Sequence, residues 1–135
     1  MRPVAVLLAP LILCLIAAEA AAADLSTRIA EAKAESATPS GAEYDQKLGP
    51  LIGQAMRSCI PPGATAPENL GSFALVARVG ADGRQREVEV DSNTRVAACF
   101  KSRFAAFNLP PPPSSPGKRE YFTGYPIVVE MTVSP

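Results

Sequence analysis

Hydrophobic and polar positions alternate most clearly between residues 71 and 92. In SFALVARV (72–79), Phe73, Leu75 and Ala77 fall on one face of an extended strand, because side chains change sides at every residue. RQREVEVD (84–91) alternates again, with Val88 and Val90 inward and Arg86, Glu87, Glu89 and Asp91 polar. Gly80-Ala81-Asp82-Gly83 stands between them. Asp-Gly tolerates the positive φ values of a tight turn, so the segment predicts a two-stranded hairpin.

Helical spacing flanks the hairpin. In residues 42–58, Tyr44, Leu48, Leu51, Ile52, Ala55 and Met56 recur at intervals of three and four, one face of an amphipathic helix. Pro50 lies inside the pattern and lacks a backbone donor, so a kink or a restart is expected there. Pro61-Pro62-Gly63 ends the element. Ser92, Asn93 and Thr94 offer N-cap oxygens for a second helix over 94–107, with Val96, Cys99, Phe100, Arg103, Phe104 and Phe107 near one stripe. Its aromatic side is expected on the sheet. Pro110 to Pro113 must leave helical geometry, 114–118 is a polar loop, and YPIVVEMTV (125–133) reads as a last, β-branched strand. The predicted fold class is α+β: a small three-stranded antiparallel sheet with two helices on one face, in the order α-β-β-α-β.

The chain's start changes where this domain is expected to fold. Met1-Arg2 precedes an uncharged run rich in Leu, Ile and Ala, and residues 18–23 offer small-x-small cleavage frames. Residues 1–23 therefore read as a secretory signal peptide, cleaved after Ala23 with Ala20 as second choice. The run is shorter than the roughly 20 residues a spanning helix needs. No stable membrane anchor is expected after cleavage. Cys14 follows Leu13 and precedes Leu15-Ile16, which is not a lipidation pattern, and it leaves with the peptide. Localisation is expected to be periplasmic, where cysteines can be oxidised. Residues 24–42 have only Leu25 and Ile29 for an apolar stripe, and Thr38-Pro39-Ser40-Gly41 interrupts them. They read as a flexible N-terminal arm or frayed helix, with a partner-docking helix as the alternative. Residues 43–135 form the domain.

Composition narrows the chemistry. The whole chain carries 13 basic and 13 acidic residues, and cleavage removes Arg2 and Glu19, so the mature chain stays neutral. A basic stripe for nucleic acid is lacking. With no His, the commonest base near neutral pH and the commonest metal ligand are both missing. Two cysteines without His make a poor zinc set. No cofactor, metal site or catalytic constellation is read, and the protein is expected not to be an enzyme.

Cys59 closes the first helix and Cys99 lies in the second. Both helices should share a face of the sheet, which favours a structural disulfide between them. Two free buried thiols and a redox dithiol are the alternatives; neither cysteine has the C-x-x-C setting of a redox pair. Glu87, Glu89 and Asp91 could meet a cation or basic partner, or form a solvated face, and Arg95, Lys101 and Arg103 could pair with them. Pro110 to Pro113 reads as a rigid spacer, with a polyproline ligand as the alternative. Tyr121, Phe122 and Tyr125 could be a contact patch or core.

The ordered set of Gly71, Asp82-Gly83-Arg84, Val88, Val90, Ser92, Phe107-x-Leu109-Pro110-x-Pro112 and Tyr125-Pro126-Ile127-Val128-Val129 resembles the TonB C-terminal domain family, closest to its two-cysteine AgmX/PglI-type branch. That branch has one cysteine ending the leading helix and another in the second, as Cys59 and Cys99 stand here. The likeness spans residues 44–133. TonB itself keeps an uncleaved anchor and a long Pro-rich rod; here the anchor is expected to be cleaved and the Pro run is Pro110 to Pro113 inside the domain, so the chain is not expected to transmit force. The resemblance implies peptide recognition by adding a strand at a sheet edge. Tyr125, Ile127 and Val129 of the last strand are the candidate partner-binding residues; the alternative is an ordinary edge strand, shielded by Glu130 and by Pro126 at its start.

The expected function is a secreted periplasmic binding protein of the cell envelope, acting by protein–protein contact through that edge or the adjoining 110–121 loop. The alternative is a periplasmic inhibitor or immunity protein blocking a toxin or envelope enzyme. The partner would be an envelope protein or peptide, not nucleic acid; the open edge could also pair with itself to give a homodimer.

Overall fold

A computed structural model of the chain describes residues 24–60, 70–114 and 124–134. The expected signal peptide and residues 115–121 of the candidate loop, including Tyr121, lie outside the described residues, as does Phe122. The elements run α1 (residues 24–36), α2 (Pro39–Arg57), β1 (Gly71–Val79), β2 (Gln85–Val90), α3 (Arg95–Ala105) and β3 (Tyr125–Val133). The sheet is antiparallel with strand order β2-β1-β3, so the fold is α+β with a three-stranded antiparallel sheet.

The local chemistry explains the boundaries. Thr38 accepts from the Gly41 N–H as N-cap of α2, with Pro39 at the first turn, where its missing N–H costs nothing. Thr94 does the same for α3, accepting from Ala97. Pro50 does not restart α2, which runs through it as one element. Asp82 Oδ1 accepts from the Arg84 N–H, and Gly83 takes φ 81°. Gly83 also leaves room for the backbone after α3: a Cβ there would run into the Leu109 carbonyl, and Leu109 N–H donates to Gly83 O at 2.9 Å.

Helices α2 and α3 cover one face of the sheet. Tyr44, Leu48 and Met56 meet Phe73, Leu75, Phe100 and Phe104 in a common core. Phe100 stacks on Phe104 at 5.3 Å between ring centroids and lies 5.7 Å from Phe73. Cys59 and Cys99 form a disulfide, with Cα atoms 5.6 Å apart, joining the end of α2 to the middle of α3. Gln85 Nε2 donates to the carbonyls of Phe104 and Phe107, capping the C-terminal end of α3 from β2.

The second face is covered too. A strand packed on one face alone would alternate, yet β1 buries residues 73–77 without a break. The cover is α1, and residues 24–36 are therefore a packed helix rather than a flexible arm or frayed end. Ala32 is 1% exposed and Arg28 is 7% exposed. α1 crosses the sheet with a polar tie to each strand. Arg28 donates to the Glu87 carbonyl of β2 at 2.6 Å and pairs with Glu89 at 3.3 Å. Glu31 pairs with Arg78 of β1 at 3.1 Å, and Lys33 with Glu130 of β3 at 2.7 Å.

β2 carries a bulge under α1. Between the pairs Val76↔Glu89 and Arg78↔Arg86, β2 advances one residue more than β1. Glu87 sits there with φ 51°, an uncommon backbone state for a residue with a side chain. Its carbonyl is held by Arg28 and its carboxylate lies 3.6 Å from Arg78. Glu87 and Glu89 thus meet Arg78 and Arg28, not the α3 residues Arg95, Lys101 and Arg103.

Candidate interaction surface: the open edge of strand β3

Strand β3 lies at one edge of the sheet, and the direction of its backbone groups follows from β1. Ala74 donates its N–H to Asp91 Oδ1 at 2.7 Å, and its carbonyl accepts the Asp91 N–H at 3.1 Å. Gly80 N–H donates to Arg84 O. Even-numbered positions of β1 therefore face β2, and odd-numbered ones face β3. Their register partners on β3 are Tyr125, Ile127, Val129, Met131 and Val133. These residues direct N–H and C=O inward, as antiparallel hydrogen-bonded pairs do.

The expected binding residues consequently sit on the edge strand but do not face outward. Tyr125, Ile127 and Val129 turn their backbone groups to β1, and their side chains are buried in the α2/α3 core. Alternation gives the open side to their neighbours. Val128, Glu130 and Thr132 direct N–H and C=O away from β1, and Pro126 directs a carbonyl only. Among the described residues no strand lies beyond them. The sequence alone could place the edge strand but not its parity, which depends on the hairpin side of β1.

The edge has a mixed electrostatic border. Lys33 and Glu130 pair beside it with side chains 52% and 60% exposed. At its start, Tyr125 packs edge-on against Tyr44 at 5.6 Å. Tyr44 donates its hydroxyl to Pro110 O at 2.7 Å, fixing the start of the proline segment. Burial pushes both phenols up to about 12, Tyr44 helped by the charges of Tyr125 and Asp45, Tyr125 by Glu35 and Asp45. The neutral form is favoured in the fold, so this stabilisation is full below the ordinary value of 10.0 and is lost as pH rises through about 12. An alkaline titration should show Tyr44 and Tyr125 ionising only above pH 10, with stability falling between 10 and 12. Tyrosinate absorbance followed together with far-UV circular dichroism checks this; ordinary ionisation of both in the folded protein would contradict it.

Clefts open at several places among the described residues, one of them beside the edge. One of about 570 Å³ lies between the hairpin turn and the end of α3, lined by Asp82, Arg84, Gln85 and Phe107 among others. Beside it, Gln85 Oε1 is buried without a hydrogen-bond partner among the described residues. A second, of about 360 Å³, lies under the start of α1 between Asp24, Arg28, Arg78 and Glu87. The third, about 350 Å³, adjoins the β3 edge and is lined by Ser72, Ala74, Asp91, Glu130 and Thr132, with Phe73 and Met131. No group of three or more His, Cys, Asp or Glu side chains placed to hold a metal occurs among the described residues. Nor is any described helix long and apolar enough to cross a membrane. Comparison with known proteins finds no match among family models, curated proteins or solved structures.

Proposed function

We propose that this chain is a secreted, periplasmic, non-enzymatic binding protein of the cell envelope that takes an extended segment of a partner protein onto the open edge of β3. One observation carries the reading: Val128, Glu130 and Thr132 present six backbone hydrogen-bonding groups along one side of a well-packed sheet. Such a row is a ready template for another strand. The resemblance of the cysteine and hairpin pattern to TonB C-terminal domains points the same way. Pro126 and Glu130 limit the edge to a short stretch, which suits a short extended segment better than open-ended sheet growth.

Proline substitutions at adjacent positions separate binding from folding. Val128→Pro removes an outward N–H, so the domain should stay folded while partner capture from intact envelope is lost. Val129→Pro removes an inward N–H from the β1 ladder and should destabilise the domain itself. Crosslinking and affinity capture of the mature protein, with circular dichroism on each variant, makes the comparison. Undiminished capture by folded Val128→Pro protein would remove β3 as the binding edge.

A second reading, an inhibitor or immunity protein using the 110–121 loop, has its own support. The root of that loop is anchored by Tyr44 to Pro110 and by Leu109 to Gly83. A rigid root lowers the entropy lost when a loop docks on an enzyme. Capture of a single stoichiometric hydrolase or toxin, retained in Val128→Pro, would favour it.

A further inference from the structure

The chemistry beside the β3 edge selects among extended segments. Ala74 of β1 is the register partner of Glu130 on β3, and its N–H holds the carboxylate of Asp91 on the other side. Asp91, Ala74 and Glu130 therefore form a row across the sheet, with a methyl group between two carboxylates. That small centre leaves the depression of about 350 Å³, rimmed by the hydroxyls of Ser72 and Thr132, which lie 3.0 Å apart. One Asp91 oxygen is spent on the Ala74 N–H. Glu130 Oε1 meets the Lys33 ammonium, so this rim already holds a primary amine. The amine comes from α1, outside the sheet, and both partners are more than half exposed, the setting in which an ion pair is weak and exchangeable.

A strand added to β3 would run roughly 4.8 Å from it and place every second side chain on this face, directly beside Glu130. A side chain there meets the Glu130 carboxylate and borders the hollow with its methyl floor, while Asp91 stands on the far side of that hollow, on the β2 side of Ala74. An acidic side chain is repelled, and an apolar one displaces Lys33 without replacing its charge. A long basic side chain can lie over Glu130 and bring its cation to the mouth of the hollow. We infer that the segment bound at the β3 edge carries a lysine or arginine at the position flanking Glu130, where its cation replaces that of Lys33. This rests on the edge-binding reading above and adds the charge of the ligand to it.

The test is selection of displayed nine-residue random peptides on residues 24–135, followed by synthetic versions of those selected. Hydrogen exchange should show protection of the Val128, Glu130 and Thr132 amides, and the peptides should share Lys or Arg at one fixed position. Changing that residue to Gln in the peptide should weaken binding about two- to fivefold, the range for an exposed ion pair, and less at high salt. Glu130→Gln in the protein should abolish the difference. Lys33→Gln should tighten Lys- or Arg-bearing peptides while leaving the Gln versions unchanged, because it removes the internal competitor.

Peptides that protect those amides with no basic preference, or with one that survives in Glu130→Gln, overturn the inference and leave edge binding standing. Selections yielding no peptide that protects those amides overturn both. Protection of the same amides that rises with protein concentration alone would assign the edge to a second copy of the chain, and would also overturn it.

Discussion

Cys59→Ser and Cys99→Ser should each destabilise the protein by about 3–4 kcal/mol, and the double variant should lose no more than either single one. The bridge closes a loop of 40 residues. Cross-linking removes that loop's closure entropy from the unfolded chain, worth roughly 3–4 kcal/mol at this length when the native geometry is relaxed. A small domain has on the order of 5–15 kcal/mol in total, so the loss is a large fraction of it. The melting temperature should fall on the order of 15–25 °C. Equality of the two single variants is the sharper expectation, since each removes the same bond. Packing works in the same direction at both sites: Cys59 is buried at the end of α2 and Cys99 half-buried on α3, so each serine adds a hydroxyl to a largely apolar contact. Thermal unfolding of the three variants, with the wild type measured with and without reductant, decides the matter. A neutral change at one cysteine beside a severe one at the other would show that the bond contributes little and that local packing dominates.

The residues that made this bridge legible show which parts of a fold a sequence exposes. Cys59 follows the end of α2 and Cys99 lies within α3, helices with strong apolar stripes that had a single face of a predicted sheet to cover. The hairpin was legible for a similar local reason: Asp82-Gly83 demands its turn and alternation fixes the strands on either side. The second layer was less plain. α1 brings few apolar residues, and its docking depends on Arg28, Glu31 and Lys33 finding partners on three different strands. A charged helix face looks solvated until its partners are placed, because ion pairs between distant segments leave no periodic trace. A signal was nonetheless present in β1. Phe73-Ala74-Leu75-Val76-Ala77 is apolar on both faces, and two-sided burial requires a cover on each. Thr38-Pro39 was equally readable in two ways, as the break that ends α1 and as the cap and first turn that begin α2.

The edge illustrates a different limit. Which strand lies outermost follows from topology, but which of its residues face outward depends on parity through β1. The bulge at Glu87 lies on the β2 side only, so the β1–β3 register stays continuous and the parity set at Ala74 carries through to Val128, Glu130 and Thr132. A one-residue error in that parity exchanges every hydrogen-bonding group between the ladder and the open edge. Tyr125, Ile127 and Val129 were therefore found as a strand and displaced as a surface. Their burial makes them the support that holds the outward residues in line.

Gly41→Ala should detach α1 from the sheet, at a cost of about 1–3 kcal/mol, while leaving the α2/α3 core intact. The corner between α1 and α2 is only two residues long, and Thr38 organises both sides of it. Its N–H and hydroxyl both donate to the Glu35 carbonyl, at 3.0 and 2.7 Å, and its hydroxyl accepts from the Gly41 N–H at 3.1 Å. This brings the Glu35 carbonyl against Gly41, where an added Cβ would overlap its oxygen and carbon. The obstacle is backbone on both sides, so no side chain can swing aside to relieve it. Gly41 is inside α2, where alanine is intrinsically favoured by roughly 1 kcal/mol, so α2 itself should gain helicity and the cost should fall on the corner. The expected sign is therefore opposite to that of propensity, and that opposition makes the experiment informative. Hydrogen exchange should quicken across residues 24–36, and the buried Ala74 and Val76 should become exposed, with the Cys59–Cys99 bridge and the aromatic stack of Phe100 and Phe104 unchanged. Release would also withdraw Lys33 from Glu130 and Arg28 from the Glu87 carbonyl, leaving the bulged backbone there without its donor. Loss of protection should spread to Glu87 and Val88 on β2 but not to the β1–β3 ladder. If Gly41→Ala instead raises stability and leaves α1 protected, the corner is relaxed by a small backbone shift and its tight packing is not what holds α1 on the sheet.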